Sequence, residues 1–394
     1  MDGIRFIVAG GLIDGSGAEV RKKVFLAVKD GIIAAIDPVE RLPRGGGAVI
    51  DDFSHCTILP PLVDCSVSLA RSPSVDRRVR LLAEEAGPLE KAAMVGRHIR
   101  YCHAYGVLGV VDSEEISDLV EHCPEGQGGM LVIRTAARLL PTGKGGGAEP
   151  SAEGDYLKIG YSASIEDEEG PDTRLVYKDL CRILRHRGGK KAVVVANGPQ
   201  RVAEALEAGA DAIEQGYRMG EDNLAKMARK KVLWIPSLLR AKNALDGARS
   251  GGDVCCRFSQ RYVAPGQPVP GAEALWEKVL AEQISQLRFA GQAGVRTAAG
   301  TGAGSIGILH GESVVEEMKL FIKAGFSLTE TIRCASENGA RFFGMENRGQ
   351  LTVGRRATFL LARGTVQQLP RKLSYLEGIY IDGAPSSAYR KNPV

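Results

Sequence analysis

Two side chains have types and settings suited to chemistry. Lys158 lies in the short apolar run DYLKIGYS, and His310 lies in the loop ILHGES. A lysine enclosed by apolar residues can act as a base or as an amine nucleophile, and histidine moves protons near neutral pH. Desolvation disfavours the charged lysine unless a carboxylate compensates, and Asp64 and Asp112 are the candidate partners. His310 also has a structural reading, orienting the helix that begins near Glu312, although its loop is expected to face the same cavity as Lys158. His55 precedes a strand, His98, His103 and His122 fall in helical stretches, and His186 sits at a polar helix end; all five read as surface or packing residues. The eight cysteines (56, 65, 102, 123, 181, 255, 256 and 334) form no C-x-x-C pair and read as small buried residues of a reducing cytoplasm. Alternation along a strand puts Asp64, Ser66 and Ser68 on one side and Cys65 on the other, toward a helix layer. Gly302–Gly307 fits G-x-G-x-x-G, but no helix opens at once and no acid ends a following strand, so a dinucleotide site is not expected. Lys144, in a glycine cluster, could meet an anion but reads more simply as a solvated lysine.

These residues need elements to hold them. From about residue 57, eight short apolar runs alternate with amphipathic segments: ILPPLVDCSVSL, GVLGVVDS, MLVIRTAA, DYLKIGYS, KAVVVANG, DAIEQG, VLWIPSL and VRTAAGTG. In TRLVYKDLCRILRHR, Val176, Leu180, Ile183 and Leu184 share one helical face. PQRVAEALEAG has Pro199 where a first helical turn accepts it and Gly209 as a stop. Eight strands, each followed by a helix, make a (β/α)8 barrel, whose chemistry sits at the C-terminal strand ends. About 30 residues containing Cys255-Cys256 follow the seventh run and read as a long loop, a candidate lid. Both chain ends are strand-rich, with a hairpin expected around Lys29-Asp30-Gly31.

Composition narrows the partners. Lys plus Arg number 51 and Asp plus Glu 47 over 394 residues, a net of +4 with no long basic run, so nucleic acid is not expected. No apolar run approaches the ~18 residues of a membrane helix. Residues 6–13 lack the basic flank of a signal peptide, and a cytoplasmic location is expected.

Five local patterns, in register over nearly 300 residues, resemble the amidohydrolase superfamily, in its imidazolonepropionase and Xaa-Pro dipeptidase (prolidase)-like branch. LPPLVDCSVSL is similar to the family's L-P-G-L-I-D-x-H-x-H-L, and DYLKIGYS to its D-x-I-K-I strand. VVVANGPQRVAEALEAGADAIEQG resembles its H-A-H-G…I-E-H-G segment, AGVRTAAGTGAG its A-G-V-x-I-A-x-G-T-D-A-G, and NRGQLTVGRRATFLL its closing strand pattern. The resemblance implies an α/β fold: a (β/α)8 barrel over residues 57–349 and a small β-sandwich built from 1–56 and 350–394.

The resemblance also implies a metal site, and this sequence departs from it. Ser66 and Ser68 stand where the family has H-x-H on strand 1. Val195 or Asn197 holds the strand-5 histidine position, Gln215 the strand-6 histidine and Gly302 the strand-8 aspartate. Only the strand-4 lysine persists, as Lys158, which many relatives carbamylate to bridge two metals. Zinc-type ions need imidazole, thiolate or carboxylate donors, which hydroxyls, carboxamides, Val and Gly do not supply. No metal ligand and no cofactor is therefore expected, the family-type zinc site being lost. Ser66, Ser68, Lys158, Asn197, Gln215, Thr301 and His310 are expected to line a polar cavity for a small polar ligand. The expected function is a binding or scaffold subunit, inactive as a metallohydrolase and paired with itself or an active paralogue. The alternative is a metal-independent enzyme using Lys158 or His310, or a single-metal hydrolase of C–N bonds with relocated ligands.

Overall fold

The computed structural model describes residues 3–43, 49–123, 131–142, 147–162, 175–249 and 270–389. The chain begins with β1 (Ile4–Leu12), β2 (Arg21–Lys29), β3 (Ile32–Pro38) and β4 (Val49–Leu59). The β2–β3 hairpin turns at Asp30 and Gly31, both at positive φ, as the two-residue turn between twisted strands requires.

Parallel strands then alternate with helices. β5 (Leu62–Val67) leads through α1 (Arg77–Glu85) and α2 (Pro88–Ala104) to β6 (Val107–Asp112). After α3 (Ser117–Glu121) come β7 (Val132–Ala137), a hairpin of β8 (Leu139–Thr142) and β9 (Gly147–Pro150), and β10 (Tyr156–Gly160). α4 (Tyr177–Arg185), β11 (Lys191–Ala196), α5 (Pro199–Ala208), β12 (Ala212–Gln215), α6 (Glu221–Lys230) and β13 (Leu233–Ile235) continue the pattern. β5, β6, β7, β10, β11, β12 and β13 neighbour one another in that order. Residues 296–303 close the ring as its eighth member: Ala298 N–H donates to Trp234 O and Cys65 N–H to Ala299 O, each at 2.9 Å. The fold is a (β/α)8 barrel. In α4, Leu180, Ile183 and Leu184 are buried, but Val176 caps the helix from outside and is exposed. α5 starts at Pro199 and ends at Gly209, whose φ of +96° is the left-handed stop.

The barrel interior is packed rather than hollow. Val63, Cys65, Val111, Ala136, Tyr156, Val193, Ala212, Leu233, Ile235 and Ala298 meet along its axis. The intervening strand residues, among them Leu108, Leu157, Val194, Ile213 and Trp234, pack with the helices. Cys65 thus faces the interior, not the helix layer. The β5–β6 register shifts between Asp64 and Val67, which breaks strict alternation at this strand end.

The first part of the segment after β13, up to Arg249, is helical, and residues 250–269 lie outside the described residues. α7 (Leu238–Arg249) starts three residues on, its first N–H groups taken by the buried Glu317 carboxylate (Leu238 at 3.0 Å, Leu239 at 2.6 Å). Cys255 and Cys256, like Lys144, lie outside the described residues. α8 (Ala272–Ala293), α9 (Ser313–Lys323), α10 (Leu328–Cys334) and α11 (Glu337–Phe342) follow. Phe343 and Met345, just beyond α11, plug the N-terminal end of the barrel, with Phe343 edge-on to Tyr156 at 5.2 Å. β14 (Phe359–Arg363), β15 (Leu376–Ile381) and β16 (Ala384–Pro385) rejoin the first strands in one seven-stranded sheet, ordered β16-β15-β14-β4-β1-β2-β3. That sheet rolls on itself, bonding Ala357 N–H to Gly31 O at 2.7 Å, and encloses Ile7, Leu26, Ile58 and Phe359. No described helix is long and apolar enough to cross a membrane.

Candidate functional site

At the C-terminal end of the barrel, Lys158 is held by two neighbours. Its Nζ lies 2.7 Å from Glu214 Oε2 and donates to Ser113 Oγ at 2.8 Å. Ser66 Oγ donates to the other carboxylate oxygen of Glu214 at 2.8 Å. Glu214 is 2% exposed, so this is a buried ion pair with both carboxylate oxygens engaged. Neither aspartate suggested by the sequence is the lysine's partner. Asp64 instead takes the N–H (2.9 Å) and hydroxyl (2.6 Å) of Thr301, and burial pushes it up to about 6. Asp112 takes the N–H groups of Leu69 (2.7 Å) and Glu114 (2.9 Å), and burial pushes it up to about 7. Both act as staples for the loops that leave the barrel.

Asn197 and Gln215 satisfy each other, Nδ2 donating to Oε1 at 2.8 Å. Asn197 Oδ1 also accepts from Tyr217 N–H at 3.0 Å. Gln215 has a φ of +67°, and its carbonyl accepts from Trp234 Nε1 (3.0 Å) and Gln283 Nε2 (2.7 Å). Those bonds over-determine a backbone conformation that a non-glycine residue rarely adopts.

His310 does not line the mouth. It is 2% exposed, and its ring stacks on His98 with centroids 3.9 Å apart. Its Nε2 donates to Ser68 O at 3.0 Å, while His98 Nδ1 donates to Leu69 O at 2.8 Å. Burial lowers both imidazoles, His98 to about 4 and His310 well below the usual range, so both are neutral at pH 7. The pair braces the loop after β5. The structure therefore gathers Ser66 and Lys158 around Glu214, pairs Asn197 with Gln215, leaves Ser68 half-buried above β5, and turns Thr301 and His310 to bracing roles.

Beside this mouth opens a cleft of about 970 Å³, walled by α1, α7, α8 and the loops after the first, second and eighth barrel members.

The family model for the amidohydrolase family matches residues 177–381, more than half of the chain. The chain belongs to the amidohydrolase family. Solved structures of similar fold include a Xaa-Pro dipeptidase with methionine bound in its active site (17% identity, TM-score 0.73, 97% of this chain and 99% of that one). Ochratoxinase from A. niger matches at 16% identity with a TM-score of 0.76, covering 97% and 95%. Molinate hydrolase matches at 15% with 0.73, covering 98% and 95%. No curated protein matches the sequence.

In this member of the family the side chains at the positions that the resemblance assigns to metal ligands, Ser66, Ser68, Asn197 and Gln215, do not suit a zinc-type ion. Among the described residues no three His, Cys, Asp or Glu side chains stand together as ligands. Of the carboxylates at this end of the barrel, Glu214 is committed to Lys158 and Ser66, Asp64 to Thr301, and Asp112 to the N–H groups of Leu69 and Glu114. At the strand-8 position Gly302 has a φ of +74°, and a Cβ there would stand 2.9 Å from Arg240 Cδ. The Arg240 stem crosses the space where the resemblance calls for an aspartate.

Proposed function

We propose that this member of the amidohydrolase family works without the family's metal centre, as a protein that binds a small polar ligand or a partner subunit rather than as a metallohydrolase. The observation that carries this reading is the Lys158–Glu214 pair, with Nζ 2.7 Å from Oε2. A carbamate on Nζ would turn the lysine into an anion facing that carboxylate at close range, in a poorly solvated pocket where such repulsion is strong. The lysine thus serves as counter-ion to Glu214 rather than as a bridge between metals.

Metallohydrolysis needs a metal to make hydroxide from water and to polarise the scissile carbonyl. At the positions the resemblance assigns to that ion's donors stand hydroxyl and carboxamide groups, Asn197 bonding to Gln215 and Ser66 to Glu214. The same groups suit hydrogen bonding to a polar ligand.

The test is turnover of acyl-proline dipeptides, cyclic amides and lactones, with and without added Zn²⁺ or Mn²⁺ and bicarbonate. The reading expects no turnover above buffer under any condition. Robust turnover that needs metal and is abolished by Lys158→Met contradicts it.

A further inference from the structure

The cleft beside the barrel mouth has an unusual charge balance. Its walls carry Arg71, Arg80, Lys91 and Arg240 against Glu84, Glu114 and Glu115. Arg71 Nε pairs with Glu114 at 2.5 Å, and Glu115 takes Ser151 Oγ at 2.8 Å and lies 3.9 Å from Arg138. Arg80 donates only to backbone carbonyls, those of Ser74 at 2.7 Å and Val75 at 3.0 Å, which leave its charge unbalanced. Among the described lining residues, Arg80, Lys91 and Arg240 are therefore set against Glu84.

Arg240 is the best placed of these cations. It stands in the first turn of α7, whose start is anchored by buried Glu317. Its stem is wedged over Gly302, which fits only because that position has no side chain. Its guanidinium has no hydrogen-bond or ion-pair partner among the described residues, although the residue is only half-exposed. Guanidinium stays charged at all relevant pH, and its planar fork matches a carboxylate with two parallel bonds. Apolar side chains, Ile116, Leu119, Trp276 and Ile308 among them, line the cleft together with the polar Ser72, Asn243 and Ser305. The outer wall is α1, none of whose residues is buried, so little packing resists its displacement as a ligand enters.

We propose that this cleft binds an organic monocarboxylate with an apolar body, its carboxylate on Arg240 and its body against Trp276 and Ile308. The proposal deepens the ligand-binding reading above and rests on it. The planar fork of Arg240 matches a planar carboxylate with two parallel bonds, and Glu84 in the same lining disfavours a phosphate dianion.

The probe is phenylpropionate, titrated by calorimetry and by intrinsic fluorescence. Trp276 lines the cleft and is one of only two tryptophans, the other, Trp234, being sealed in the barrel wall. Phenylpropionamide is the neutral isostere. The expected result is saturable binding of the carboxylate, weakened about tenfold or more in the amide and in Arg240→Gln, with Arg240→Lys between. Thermal unfolding of the variants checks that they remain folded. Equal binding of acid and amide, unchanged binding in Arg240→Gln, or no saturable binding into the millimolar range overturns the proposal. The amide separates this inference from the reading beneath it. Release of phenylpropionate from the amide would overturn the non-hydrolytic reading while carboxylate binding still stood on Arg240.

Discussion

Replacing Glu214 by alanine isolates what Lys158 does. In the native protein the Lys158 side chain is 17% exposed and that of Glu214 2%, with 2.7 Å between Nζ and Oε2. Removing one partner of a buried pair costs about 3–5 kcal/mol, because the other charge stays behind. The lysine keeps Ser113 Oγ and some solvent, which favours the lower end of that range. Ser66 Oγ loses its acceptor, adding about 1 kcal/mol. The expected loss is roughly 3–4 kcal/mol, read as a drop in the urea midpoint with an unchanged slope. Replacing both partners by apolar residues of similar size, Glu214→Leu with Lys158→Met, should recover most of it. The coupling in the double-mutant cycle should then reach about 2 kcal/mol or more. A loss under about 1 kcal/mol with coupling near zero would refute the reasoning. It would mean that water separates the charges and that the lysine stands free.

Gly302→Asp should not restore a metal site: the φ of +74° and the Arg240 stem 2.9 Å from the new Cβ should lower stability by roughly 1–3 kcal/mol instead, and tight Zn²⁺ binding by the variant would contradict this. Stability should also depend on pH in two opposed ways. His98 and His103, each lowered to about 4 by burial, are neutral in the fold but take protons below about 6.5 when unfolded, so they remove stability as pH falls from 6.5 toward 4. Asp112 and Glu317, raised by burial to about 7 and about 8, hold protons in the fold where the unfolded chain does not, so stability falls as pH rises through those values. Of these four groups the two carboxyls dominate between pH 6.5 and 8, and the unfolding free energy from denaturant curves should drop across that window by on the order of 1–2 kcal/mol. Glu317→Gln should flatten the drop, and an unchanged slope in that variant would contradict the assignment.

The barrel was legible because its strands are short apolar runs with helical patterns between them, and all eight runs fall on ring members. The β2–β3 turn and the Pro199 and Gly209 boundaries of α5 were legible for the same local reason. Glu214 was missed as the partner of Lys158, although one signal was present. Ala212 faces the interior, so two-residue alternation brings Glu214 inward beside the lysine strand. Alternation misled at Cys65, where a register shift intervenes. The His98–His310 stack joins α2 to a loop more than 200 residues away, and Arg240 over Gly302 depends on where α7 docks. Such contacts follow from tertiary packing and leave no local pattern. The helix α7 was not foreseen for a related reason: it starts on the Glu317 carboxylate, a cap supplied from α9 rather than from the preceding sequence.

The most direct test of the account is elemental analysis of untagged protein, purified without chelator and desalted. The account predicts zinc, manganese, iron and cobalt together well below about 0.1 ion per chain, because hydroxyl, carboxamide and glycine positions give no tight site. A retained ion near one or two per chain would contradict it.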